Sequence, residues 1–304
     1  VMISALFPVF TIIILGYLFK TIQFPSSSFW PSAAKIAFYV FIPALLFNKL
    51  AHSSLISLNS LPMVLALLIS IIAISIIIYI SKYFASLSGP SFSSVYQGST
   101  RFNIFIGLAL TESFFGQDGL ALAAVAILGL VPIINTLCVI VVTVTCNNNR
   151  NGACHLLCDV AQNPIVISCM LGLFFNLASI KIPNAINAIV GILDQAALPL
   201  GLLVVGSGLQ LKIKNLEIKG ISLSLIFKLV MQPMLCYLFC MLFHVDYFSR
   251  DVALLFTALP TATAGYILAQ QLGGNIELMA QIITIQVIIS FVTLPVIISF
   301  FHTI

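Results

Sequence analysis

YQGSTRFN (residues 96–103) and TALPTAT (residues 257–263) are polar interruptions in a chain that is otherwise apolar over most of its length. Each lies about ten residues, roughly 15 Å at helical rise, from the start of an apolar segment. Pro260 removes an amide donor and crowds the preceding turn, so a helix running through it should break there. Gly98, Ser99, Thr100 and Asn103 are the weaker equivalent in the first stretch. A break frees amides at the start of one half-helix and carbonyls at the end of the other. Within a bilayer those groups are tolerated only where protein or a water-filled cavity satisfies them. Two breaks crossing at the midplane would aim two positive dipole ends at one spot, which suits an anion. The plain alternative is a pair of packing kinks with no ligand.

A bilayer is the environment the composition demands. Apolar residues make up 61% of the 304 residues and charged residues 7%, with a mean hydropathy of +1.19. A soluble domain carries roughly a quarter charged residues. The net charge of +4 is scattered over loop ends, without the basic stripe that nucleic acid requires. Cys138, Cys169, Cys236 and Cys240 lie in apolar runs and read as small apolar residues. Cys154 and Cys158, with His155 between them, have no second ligand pair at zinc spacing, so no metal site is expected. The first apolar run starts almost at residue 1, without a basic region before it or a small-residue cleavage pattern after it, and reads as a retained span.

Runs long enough to cross fall at about 2–20, 32–51, 61–84, 93–115, 119–145, 160–178, 185–210, 220–243, 250–272 and 276–302. The two interruptions are in the fourth and ninth. With ten spans, Lys20, Lys35, Lys82, Arg150, Lys212, Lys214 and Lys219 fall on one face, against Lys49, Lys181 and Arg250 on the other. The first face is therefore expected in the cytoplasm, with both termini outside.

Sliding the chain against itself by 156 residues sets Pro8 on Pro164, Gly16 on Gly172 and Pro43 on Pro199. An offset of 157 sets Phe115-Gly116-Gln117-Asp118 over Leu272-Gly273-Gly274-Asn275, and Asn103 over Pro260. The repeats are residues 1–157 and 158–304. Each carries five helices, an odd number, so the second copy must enter the membrane from the opposite side. An all-α polytopic membrane protein of two inverted five-helix repeats, with crossed broken helices four and nine, is the architecture of secondary transporters.

Arg101 is the sharpest single residue, because a charge at mid-membrane is costly and usually functional. Glu112, the nearest acid of its segment, is about 16 Å along a helix. Arg101 therefore needs a carbonyl cluster, an acid on another helix, or the substrate. Asn103, Ile104, Pro260, Thr261 and Thr263 complete the expected substrate site, with Thr100 as polar support. Asn135 and Thr136, beside Pro132, could support it too or bond between helices. Asp194, five residues before Pro199, could carry a proton, contact a cation or face the outer interface. For Lys228, an internal ion pair or a snorkelling stem is expected ahead of a ligand role. Glu112, Asp118 and Glu277 read as interfacial charges, and Gly201, Gly206 and Gly208 as small-residue packing.

The chain resembles the auxin efflux carrier family in its compact microbial form, over nearly its whole length. The likeness rests on ALFPVFTIIILGYLF, KIAFYVFIPALLFNKLA, RFNIFIGLAL, FFGQDGLALA, ALPLGLLVVGSGL, ALPTATAGYILAQQLGG and SFVTLPVII, in that order and spacing. It implies a fold similar to bile acid–sodium symporters and sodium–proton antiporters. Residues of about 1–52 and 160–210 would form a scaffold, and 61–145 and 220–303 a moving transport domain, with substrate bound between them beside Asn103 and Pro260. Segment four lacks the proline that plant auxin carriers have at this break, and the loop at 146–158 is far shorter than theirs. Family members carry organic anions such as auxin, malate or malonate. The expectation is thus a secondary transporter of a small carboxylate in the inner or plasma membrane, working by elevator-type alternating access. Sodium or proton coupling and a homodimer through the scaffold helices are compatible with it. The alternatives are a coupled symporter of another amphipathic solute or a non-transporting sensor. An enzyme is disfavoured, since His52, His155, His244 and His302 all fall in loops or at segment ends.

Overall fold

A computed structural model of the chain describes residues 2–53, 60–146, 162–211 and 216–302. Helix occupies each of the ten apolar stretches, and no strand occurs among the described residues. In chain order the helices are α1 (Met2–Thr21), α2 (Phe29–His52), α3 (Ser60–Ala85), α4 (Gly89–Thr100), α5 (Ile104–Thr145) and α6 (Pro164–Leu177). They continue with α7 (Asn184–Gly208), α8 (Ile218–Leu242), α9 (Tyr247–Ala258), α10 (Ala264–Leu272) and α11 (Ile276–His302). Among the described residues, six helical stretches are long and apolar enough to cross a bilayer, and Leu6–Thr21 and Pro164–Leu177 are shorter apolar helices. Phe7, Ile72, Ile192, Met234 and Val292 are exposed on five different helices. Helices apolar on their outer as well as their inner faces belong in lipid.

Short sequence signals place the helix ends. Ser88 accepts from the Ser91 amide at 3.3 Å, and Pro90 occupies the first turn of α4, so this helix begins four residues ahead of the apolar run. Asn163 caps α6 and Asp246 caps α9 in the same way, each at 2.9 Å. Single π-turns at Ala37–Phe41 in α2 and Ile226–Met231 in α8 sit just before Pro43 and Pro233, where the missing proline amide disturbs the ladder. Gly116 (φ 62°, ψ −150°) divides α5, and Gly273 (φ 82°) closes α10 in the left-handed region. These two positive-φ glycines stand 157 residues apart, in the register that sets FGQD over LGGN.

The chain divides into two compact units, Val1–Ser60 with Phe105–Leu128 and Cys158–Gly208, and Leu61–Ile104 with Gly129–Leu157 and Leu209–Ile304. In the first, α1 packs along α7, and α2 along α6 and α7. These contacts are made backbone to backbone. A Cβ on Gly16 would strike the Leu203 carbonyl, one on Gly206 the Ile13 carbonyl, and one on Gly172 would lie 2.9 Å from the Phe47 carbonyl. Gly206 is therefore a packing residue, and Gly201 leaves room for the Phe105 ring. Asp194 is held within this unit by Lys49 Nζ at 3.0 Å and Asn48 Nδ2 at 2.7 Å. In the second unit, α4 packs against α8, α10 and α11, while α9 packs against α8 and α11.

Gly206→Val should destabilise the protein by about 2 kcal/mol or more, since the added atoms meet backbone that cannot turn aside. Gly191, inside α7 with open space around it, is the control. Gly191→Ala should be neutral or stabilise by up to about 1 kcal/mol. Thermal unfolding of both variants in detergent checks the contrast.

Candidate functional site

The two interruptions are breaks in helix, and they meet. α9 ends at Ala258, and Leu259 turns extended (φ −62°, ψ 147°), as a residue ahead of proline prefers. The helix resumes as α10 at Ala264. α4 ends at Thr100, Arg101 is extended (φ −73°, ψ 157°), and α5 starts at Ile104. No proline causes this second break. It begins one turn later than the weak helix formers suggest, because Gly98, Ser99 and Thr100 remain helical. The Ser99 and Thr100 hydroxyls donate to the Val95 and Tyr96 carbonyls of their own helix, at 2.7 and 2.9 Å. Gly98 serves packing instead, since a Cβ there would lie 2.6 Å from Ile282 and 2.7 Å from the Ser224 hydroxyl.

What holds the α4–α5 break is the other break. The Asn103 amide donates to the Pro260 carbonyl at 2.9 Å, joining the two interruptions backbone to backbone. Gln286, fully buried on α11, clamps both. Its Oε1 accepts from the Thr261 amide at 2.8 Å, and its Nε2 donates to the Gly98 carbonyl and the Ser224 hydroxyl, each at 2.9 Å. The Thr261 hydroxyl donates to the Gln97 carbonyl at 3.3 Å. All these residues belong to the second unit.

Arg101 follows the last turn of α4 directly and is 7% exposed. A cation at a helix C-terminus lies against the negative end of the dipole. Its amide donates to the Gln97 carbonyl at 3.0 Å, and Nη1 donates to Asn135 Oδ1 at 2.9 Å. The guanidinium is thus tethered by a neutral amide from α5, and no ion pair to a carboxylate holds it among the described residues.

Residues 149–298 match the model of a family described as membrane transport protein. That match supports placing the chain in the auxin efflux carrier-type membrane transport family. The chain is a multi-pass helical membrane transporter. No curated protein matches the chain.

The remaining candidates distribute unevenly in this transporter. Ile104 opens α5 and Thr263 precedes α10, both half-buried at the crossing. Thr100 also lies 3.4 Å from Cys138 Sγ. Thr136 turns back to the Pro132 carbonyl of its own helix at 2.8 Å, leaving Asn135 as the partner of Arg101. Asp194 is in the other unit, in its ion pair, so it is neither a bare carboxylate nor an outward-facing one.

Two sequence expectations are corrected. Lys228 neither snorkels nor pairs with an acid among the described residues: it is fully buried in the π-turn of α8, and its ammonium donates to Gln232 Oε1 at 2.7 Å. Arg250, counted as a loop cation, lies within α9 at 3% exposure, stacked over Tyr247 and Tyr237 at 4.8 and 5.5 Å. With Asp246 as its cap, α9 begins three residues before the apolar run, and that draws Arg250 inside. Glu112, Asp118 and Glu277 are exposed, as expected of interfacial charges. Cys154, His155 and Cys158 lie outside the described residues, among which no group of three metal-ligating side chains occurs. Gln286 is the residue that sequence reading passed over. Its signal was there, a lone carboxamide amid IITIQVII in the last apolar run.

Gln286→Leu should strand the Thr261 amide and the Gly98 carbonyl together, at a cost of about 2–5 kcal/mol. The measurement is thermal unfolding in detergent, alongside the exposed Gln271→Leu, which should change stability by less than about 0.5 kcal/mol.

Proposed function

We propose that this transporter carries a small organic anion, a carboxylate, by elevator-type alternating access, with the anion bound at the crossing of the two broken helices. The observation that carries the reading is the Asn103 amide on the Pro260 carbonyl, beside a buried Arg101 whose partner is a neutral amide. Broken helices supply first-turn amides at Ile104 and Ala264, and a fixed guanidinium adds full positive charge. A structural kink alone needs neither a second break to bond with nor an arginine. In this reading the second unit is the moving transport body and the first, stiffened by glycine contacts, is the scaffold.

An inverted repeat is supported by paired features. Gly16 and Gly172, matched at an offset of 156, both let a partner backbone approach, and Gly116 and Gly273, matched at 157, both take positive φ. Orientation follows the lysine and arginine bias, with both termini outside an inner or plasma membrane.

Uptake of a panel of mono- and dicarboxylates into proteoliposomes tests the function. Arg101→Ala and Asn103→Ala, in protein that inserts and folds, should each lower uptake roughly tenfold or more. Normal uptake by both variants would remove the site from the crossing.

A further inference from the structure

Gln97 is fully buried one turn before the α4 break, and neither its Oε1 nor its Nε2 has a hydrogen-bond partner. Its backbone is fully engaged, with its carbonyl accepting from both the Arg101 amide and the Thr261 hydroxyl. Because that Arg101 bond spans four residues in helical fashion, the Gln97 and Arg101 side chains leave the same face, about 5–6 Å apart at Cβ. The Arg101 Nε is also buried without a partner, while Nη1 is tied to Asn135. Gln286 shows the contrast. The same carboxamide, equally buried, spends both ends on the crossing. A leucine or methionine would fill the space of Gln97 without leaving polar atoms unmet, so packing gives no reason for a carboxamide here.

The unmet groups define what would satisfy them. Gln97 Nε2 and Arg101 Nε offer N–H donors, and Gln97 Oε1 asks for a donor. A simple carboxylate has acceptors only, so it meets the first demand and leaves Oε1 bare. A carboxylate with a hydroxyl or N–H on the neighbouring carbon meets both. We propose that Gln97 is a substrate-contacting, specificity-determining residue: its N–H and the Arg101 Nε–H bind the carboxylate of the transported anion, while its Oε1 accepts from a donor carried beside that carboxylate. This rests on the organic-anion reading given above.

Matched pairs of probes separate the two ideas: L-malate against succinate, and L-lactate against propionate, in proteoliposome uptake. The wild-type transporter should favour the hydroxy member of a pair by about tenfold, the size of one buried hydrogen bond. Gln97→Leu should remove that preference and lower uptake of both members, the hydroxy member about tenfold more than the deoxy one, and its thermal stability should be unchanged or higher. Gln97→Met, of matching length, gives the same reading if the leucine variant fails to insert. Gln97→Glu should lower uptake of both members by like-charge repulsion. A Gln97→Leu protein with the wild-type rate and preference would overturn the inference. A wild-type protein that carries carboxylates without preference overturns the inference alone. A wild-type protein that carries none of the panel overturns the organic-anion reading and this inference with it.

Discussion

A peptide group freed inside a bilayer has no water to turn to, and that single constraint organises the second unit of this protein. Breaking two helices at the same depth liberates amides and carbonyls that lipid cannot satisfy. The Asn103 amide and the Pro260 carbonyl meet each other, and Gln286 closes the Thr261 amide and the Gly98 carbonyl with the two ends of one carboxamide. Each break is thus a condition for the other. Arg101 fits the same logic, since it lies against the carbonyl end of α4 and is oriented by Asn135. The polarity of the crossing follows from backbone arithmetic before any ligand is considered.

The first unit works under a different constraint. Lipid tails are as apolar as leucine, so no hydrophobic driving force separates helix from lipid there, and close van der Waals approach has to hold helices together. Gly16, Gly172 and Gly206 supply it by letting neighbouring backbones come into contact. The Asp194 carboxylate, with Lys49 and Asn48, adds a polar link between α7 and α2.

Much of the crossing could be read in advance, for identifiable reasons. Pro260 breaks a helix wherever it stands, so its effect is local and legible. The offset of 157 set Asn103 over Pro260, and the two are hydrogen-bonded. The break at Arg101 was less legible, because no residue between 100 and 104 forbids helix. Weak helix formers suggested Gly98 to Thr100, yet these stay helical, with their hydroxyls bonded back to their own turn. Arg250 was misplaced because a cap at Asp246, a polar residue outside the apolar run, extends α9 backwards. Lys228 was misjudged because a lysine stem in an apolar helix can reach an interface only if its helix face allows it, and Lys228 has Gln232 one turn along its own face.

Composition and periodic apolar runs determined by themselves that this chain is a helical membrane protein, and the prolines, glycines and their spacing determined where its helices are interrupted. Those are local properties, set by transfer free energy and by what each residue permits its own backbone to do. Which groups answer one another across the interruptions is not local. The Gln286 clamp, the tether from Asn135 to Arg101, and the unmet carboxamide of Gln97 depend on four or more helices arriving at one place, and only the tertiary structure decides them. A buried glutamine looks the same in sequence whether it closes a backbone break, as Gln286 does, or is left without a partner, as Gln97 is. The difference lies in whether a partner stands within hydrogen-bond reach.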